Sequence, residues 1–197
     1  MENCYLLSSK SSQQAVLVDP GEDASRLLGT LAKNRLTLEA IWLTHAHFDH
    51  VGALAEIVAS IDVPVYLHPQ DKPWLANAAI FAAQFGLSFA PVTVETIDLR
   101  DGQVLQIGDI VATCLHTPGH APGHIAFHLA DQKLVLAGDT LFRGSIGRTD
   151  LPGGNHDLLI ESIRKKILTL PQETRVYPGH GPDTTVGIEI QSNPFLC

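Results

Sequence analysis

The chain predicts an α/β fold, with helices placed between blocks of short strands. Short apolar runs of β-like composition recur along it, each closed by a turn sequence. Stretches with helical periodicity at 25–34, 51–60 and 157–170 separate those runs, and no repeat, low-complexity tract or linker divides the 197 residues. Strands, helices, then strands and a helix again suit two sheets packed together with helices outside, the αββα arrangement.

Taken in order, residues 4–9 and 14–19 read as a hairpin, the second strand ending in the turn Asp19-Pro20-Gly21. Leucines at 27, 28 and 31 give 25–34 its helical face. A strand at 39–44 runs into a helix at 51–60, and a strand at 63–68 into a helical stretch ending near Phe85. Strands follow near 103–107, 109–116, 124–130 and 133–138. The stretch 157–170 is amphipathic, with apolar residues at 158, 159, 163, 167 and 170, and a last strand occupies 174–177.

Chemistry concentrates in Thr44-His45-Ala46-His47-Phe48-Asp49-His50, directly after the apolar run Ile41-Trp42-Leu43. A strand ending there would point His45 and His47 the same way, because alternate side chains share a face. Asp49 and His50 would leave the following turn in another direction. Imidazole pairs with a carboxylate suit two adjacent zinc, iron or manganese ions. A merely polar helix-start loop would more naturally use Ser, Thr or Asn. Three further strand-like runs each meet a glycine next to a metal-type ligand, in Pro118-Gly119-His120, Gly138-Asp139-Thr140 and Pro178-Gly179-His180-Gly181. Glycine permits a sharp turn and a close approach, and sites in layered α/β folds gather at strand ends.

With these motifs the chain resembles the metallo-β-lactamase superfamily, and within it the short type II glyoxalases, or hydroxyacylglutathione hydrolases. The resemblance runs from Asn3-Cys4-Tyr5-Leu6 and Val18-Asp19-Pro20-Gly21 to Asn193-Pro194-Phe195-Leu196. Leu141-Phe142-Arg143-Gly144 and Gly147-Arg148-Thr149-Asp150 narrow it to the glyoxalase-like branch. It implies a four-layered αββα sandwich forming a single domain over 1–197. It also implies one metal on His45, His47 and His120, a second on Asp49, His50 and His180, and Asp139 bridging. Zinc is the expected metal, with iron or manganese as alternatives. Asp49 and Asp139 would be catalytic, with hydroxide held between the cations attacking a thioester such as S-lactoylglutathione. Cations ~3.5–4 Å apart can lower the pKa of bound water towards ~7, so no Ser or Cys nucleophile is required, and no Gly-x-Ser-x-Gly elbow occurs. Asp19, Thr44 and Thr140 are candidates to orient the ligating imidazoles.

The thiol half of the substrate is where the chain departs from its relatives. Arg148 matches a family glutathione contact, and Arg143 is the fallback. Asp150, however, stands where a tyrosine is usual, and Gly181-Pro182 follow His180 in place of a tyrosine-bearing turn. The helical C-terminal domain of longer type II glyoxalases has no counterpart here, and a short strand that usually precedes Asn3 is expected to be missing. An iron-dependent persulfide dioxygenase is the alternative reading, because its pattern also carries Gly-Arg-Thr-Asp, as at 147–150. His124 has two open roles, support behind the ligands or contact with a substrate carboxylate. His116 precedes Thr117-Pro118, and His68, His128 and His156 read as ordinary strand-end, strand and helix-start residues.

Composition fits a soluble cytoplasmic enzyme, with 45% hydrophobic and 17% charged residues and no basic leader at the start. A net charge of −8 disfavours nucleic acid as a partner, and Arg164-Lys165-Lys166 beside Glu161 reads as a solvated helix face. No apolar run reaches the ~20 residues of a membrane span. Cys4, Cys114 and Cys197 lack metal-site spacing and are expected to be reduced thiols. The expected partner is a small-molecule thioester.

Overall fold

In the computed structural model, which describes residues Glu2–Leu196, the chain forms two compact units, each a β-sheet with helices. The N-terminal unit comprises Glu2–Asp98 with Gln106–Ile110; the C-terminal unit comprises Leu99–Leu105 and the chain from Val111 onward.

The N-terminal sheet contains β1 (Tyr5–Ser8), β2 (Gln14–Val18), β3 (Thr37–Trp42), β4 (Val65–Leu67) and β5 (Thr96–Asp98), in that spatial order. The β1–β2 hairpin is antiparallel and the remaining pairs are parallel. Parallel neighbours need crossovers, supplied here by α1 (Ala24–Lys33), by α2 (Phe48–Val51) with α3 (Leu54–Ser60), and by α4 (Lys72–Gln84). Their apolar faces, with Leu31, Val51, Leu54, Ile57, Leu75 and Ala78, join Leu17, Ile41 and Leu43 in one core cluster. The helix expected at 51–60 is thus two helices that start earlier and break around Gly52, and β5 escaped the sequence pattern because it is three residues long and mostly exposed.

The second sheet has the order β13-β12-β9-β8-β7-β6. Its strands are β6 (Val104–Ile107), β7 (Ile110–His116), β8 (Ile125–Leu129), β9 (Leu134–Gly138), β12 (Arg175–Pro178) and β13 (Thr184–Thr185), with a separate hairpin of β10 (Leu141–Phe142) and β11 (Ser145–Ile146). Only β9 and β12 pair in parallel among the registers of β7, β8, β9, β12 and β13. The stretch expected as one helix at 157–170 is α5 (His156–Ser162) followed by a π-helical segment, Ile163–Ile167. Asn155 caps its start by accepting the Leu158 N–H, worth about 1 kcal/mol. Leu159, Ile163 and Ile167 are buried with Val135, Ala137 and Val176. A final helix, α6 (Val186–Ser192), is too short for a periodic signal but is capped by Thr185.

Among the described residues no helix is long and apolar enough to cross a membrane. Cys4 and Cys114 form no disulfide; burial pushes both thiols up, Cys114 to about 12, so both stay protonated at neutral pH. Cys197 lies outside the described residues.

Candidate metal centre

Strand direction decides where the ligands emerge. In the N-terminal unit β2 and β3 run parallel, with Val18 opposite Trp42, so both strands end at the same edge. Asp19 follows one and the segment 43–50 follows the other. The strand stops at Trp42, short of the ligands: His45 lies in a loop, His47 caps α2, and Asp49 and His50 lie within α2. Helical geometry, not strand alternation, therefore separates Asp49 and His50 from His45 and His47. The ring of His45 lies 4.7 Å from that of His47 and 4.1 Å from that of His50, centre to centre, and His50 Nε2 is 4.0 Å from Asp49 Oδ2.

A short hydrogen-bond chain fixes the tautomers of this set. Asp19 Oδ1 accepts the Thr44 N–H at 2.7 Å and Oδ2 accepts the Thr44 hydroxyl at 2.6 Å. The hydroxyl proton is thereby used, so Thr44 Oγ1 accepts from His45 Nδ1 at 2.9 Å. His50 Nδ1 donates to Asp19 Oδ2 at 3.0 Å. As neutral rings, both buried imidazoles would carry their proton on Nδ1 and turn Nε2 to a cation. Orientation of a ligand ring through its other nitrogen is the usual support for a metal site. Asp19, His45 and His50 have donor atoms within 4.8 Å of one another, but the Asp19 oxygens are occupied by Thr44 and His50, which makes Asp19 the orienter and not a ligand. It adopts a left-handed backbone, φ 51°, which Asp tolerates better than most residues.

The C-terminal unit delivers its ligands from three strand ends. β9 and β12 are parallel, with Pro178 opposite Gly138, and Gly179 N–H donates to Gly138 O at 2.7 Å, so Asp139 and His180 leave at one edge. β8 is antiparallel to β9, which brings the β7–β8 loop carrying His120 to that edge as well. Asp139 Oδ2 stands 3.5 Å from Nε2 of His120 and 3.5 Å from Nε2 of His180. Donors about 2.1 Å from a tetrahedral cation are separated by roughly 3.4 Å, so the spacing suits a carboxylate shared between metal-bound imidazoles. His120 Nδ1 donates to the Arg148 carbonyl at 2.8 Å, which orients Nε2 towards Asp139. The donor set of each unit, neutral imidazoles with carboxylates, fits divalent metal.

His124 proves to be a support. It is fully buried, its Nε2 accepts the Asp139 N–H at 3.0 Å, and its Nδ1 lies 2.9 Å from Thr117 Oγ1 and 3.1 Å from Thr140 Oγ1. Of the two roles left open by the sequence, these contacts favour support behind the ligands. Thr140 accordingly acts through His124. The Arg148 guanidinium is engaged by Asp150 through two 2.8 Å hydrogen bonds, and this pairing lowers the Asp150 carboxyl to about 2. Arg143 lies at the exposed turn between β10 and β11.

Two supports escaped the sequence reading. Asp71, at the N-terminal end of α4, accepts the Ala46 N–H at 3.2 Å and so ties that helix to the loop between His45 and His47. The Arg148 carbonyl on His120 is invisible in sequence, because every residue has a carbonyl. Two glycines are also required by space. A Cβ on Gly21 would lie 1.9 Å from the Asp49 carbonyl oxygen, and one on Gly147 1.9 Å from the Asp139 carbonyl oxygen.

The model of the metallo-beta-lactamase superfamily matches residues 1–180. The chain is 44% identical over 196 residues to the probable metallo-hydrolase YqgX of Bacillus subtilis (strain 168), covering 98% of this chain and 92% of that one. It is 38% identical over 200 residues to the hydroxyacylglutathione hydrolase GloC of Haemophilus influenzae, covering 99% and 92%. A solved structure, TTHA1623 in a di-iron-bound form, superposes with a TM-score of 0.92 at 45% identity, covering 100% of this chain and 96% of that one. The fold expected from the strand and helix pattern and from the family resemblance is therefore the fold found. By family match, by similarity along its length and by its His/Asp clusters, this chain belongs to the metallo-β-lactamase superfamily.

Proposed function

We propose that the chain hydrolyses thioesters, with S-lactoylglutathione as one substrate, using two divalent cations, most simply zinc. The observation that carries this reading is the state of the imidazoles. His45, His50 and His120 each have Nδ1 engaged by an acceptor, the support expected of a ring that ligates through Nε2. His45, His47 and His120 would hold one cation and Asp49, His50 and His180 the other, with Asp139 shared. Similarity to GloC favours the thioester class, and similarity to a di-iron protein favours two ions.

Cations in such a site polarise a carbonyl and make a nucleophile of water at neutral pH. The chain's own residues supply placement. Asp19 and Thr44 fix two of the imidazoles, while His124 holds the Asp139 backbone N–H and thereby its carboxylate. Asp49, with a partly exposed carboxylate, orients the attacking water. Arg148 offers charge to an anionic thiol half, weakened by its pairing with Asp150.

Metal quantification of purified protein, followed by assay on a thioester panel, a β-lactam and glutathione persulfide, tests the reading. Two ions per chain with thioester cleavage is the expected outcome. A single iron with persulfide oxidation would replace it with the dioxygenase, and a chain that holds only one ion when saturated overturns the two-cation assignment.

A further inference from the structure

The N-terminal unit carries an aromatic stripe that the ligand scheme does not use. Trp74, Phe81 and Phe85 recur at intervals of seven and four along α4 and its C-terminal cap, a spacing that puts them on one helix face. An aromatic stripe at this spacing usually packs into a core. Here the buried face of α4 is the neighbouring one, with Leu75, Ala78 and Ala82; Trp74, which packs against the edge of that core, and Phe81 are half-buried, and Phe85 is 59% exposed. The upstream end of the stripe meets the metal set: the Trp74 ring stands edge-on to His47 with centres 6.0 Å apart. Phe81 stacks on Trp74 at 5.1 Å, and Phe85 packs on Phe48, the residue after His47, at 5.2 Å. The stripe is also held in register with the ligand loop, because Asp71 at the start of α4 binds the Ala46 N–H.

We infer that Trp74, Phe81, Phe85 and Phe48 form the acyl subsite, and that the acyl group it takes is an unbranched apolar chain longer than lactoyl. This rests on the thioester reading for its substrate class. A carbonyl placed at His47 has the Trp74 ring one side chain away, so successive carbons of an attached chain pass along Trp74 and then Phe81. No charged side chain belongs to the stripe, and its one polar side-chain atom is the Trp74 indole nitrogen. Full burial of a methylene changes affinity by about four-fold, so a wall that covers one side of the chain gives about two-fold per methylene.

The test uses the metal-loaded protein and two homologous series. Straight-chain carboxylates from acetate to hexanoate, the acyl products, are titrated by calorimetry and by tryptophan fluorescence; acetyl to hexanoyl thioesters of one thiol are assayed for kcat/KM. The dissociation constant should fall about two-fold per methylene and kcat/KM should rise in parallel. Phe85→Ala, which alters a mostly exposed ring, and Phe81→Ala should flatten both slopes. Trp74→Phe should keep the slope but lose the ligand-induced fluorescence change. Chain-length independence, or a slope untouched by Phe81→Ala and Phe85→Ala, overturns the subsite. So does sedimentation showing that these rings are covered by a second copy of the chain, with a dimer dispersed by Phe85→Glu. Carboxylates that bind with the expected slope while no thioester is cleaved would remove the proposed reaction and leave the apolar subsite standing. Cleavage without a slope would do the reverse.

Discussion

The two ligand sets solve the same problem in different ways. In the N-terminal unit four ligands sit within six residues, and side chains hold them: one carboxylate, Asp19, orients His50 directly and His45 through Thr44. In the C-terminal unit three proposed ligands come from three separate strand ends; a backbone group, the Arg148 carbonyl, supports His120, and the neutral His124 ring accepts the Asp139 N–H. The first set depends on a buried charge, the second on strand registry. Substitution should therefore damage the first through single side chains, and the second only where a ligand or His124 is touched.

Asp139→Ala tests the strongest claim. It removes the carboxylate placed 3.5 Å from both His120 and His180, and should abolish turnover and lower the metal content of purified protein. Activity within a few-fold of wild type would reduce Asp139 to a turn residue. Next comes Asp19→Asn, which keeps a residue tolerant of the left-handed backbone but removes the charge facing His50 and Thr44. Loss of such a supporting group typically costs about 10–100-fold in metal affinity, measurable by chelator competition. His124→Ala should fall at the lower end, about ten-fold, because the group it supports is a neutral N–H; a larger loss than for Asp19→Asn would break the contrast between the sets.

Arg148→Ala should have the smallest effect. His120 is oriented by the carbonyl of residue 148, which the substitution retains, so metal content should not change. The Michaelis constant for S-lactoylglutathione, expected to be high, should rise a few-fold with little change in kcat, the mark of lost uniform binding. Because Arg148 lowers the Asp150 carboxyl to about 2, the pair is intact above the ordinary carboxylate range and is lost only as pH falls through about 2. The Arg148→Ala effect should therefore be flat between about pH 5 and 9, and added salt should shrink it. An inflection in that window would assign the effect to another group.

The contrast between the sets also explains what the sequence made legible. The segment 44–50 could be read as metal-binding from residue types alone, since four donors so close together have few other uses. His120, Asp139 and His180 could be nominated from the glycines beside them, but their common edge follows from the β9–β12 and β8–β9 pairings, which no local pattern encodes. Asp19 was legible as a candidate because a strand ends just before it. Asp71 was not, because Pro69-Gln70-Asp71 reads as an ordinary helix start, while its carboxylate serves Ala46, 25 residues away. The β10–β11 hairpin, β13 and α6 were missed because elements this short carry no period.

Gly21 and Gly147 carry a consequence for anyone moving this centre into another scaffold. Neither offers an atom to a cation, and a motif search for donors would pass over both. Yet each marks a place where one stretch of main chain rests against the carbonyl of a ligand-bearing residue, Asp49 or Asp139, with no room for a methyl group. Grafting the histidines and aspartates alone would reproduce the chemistry on paper and misplace the carboxylates in practice. The transferable unit is the donors together with the two empty spaces that let them sit where they do.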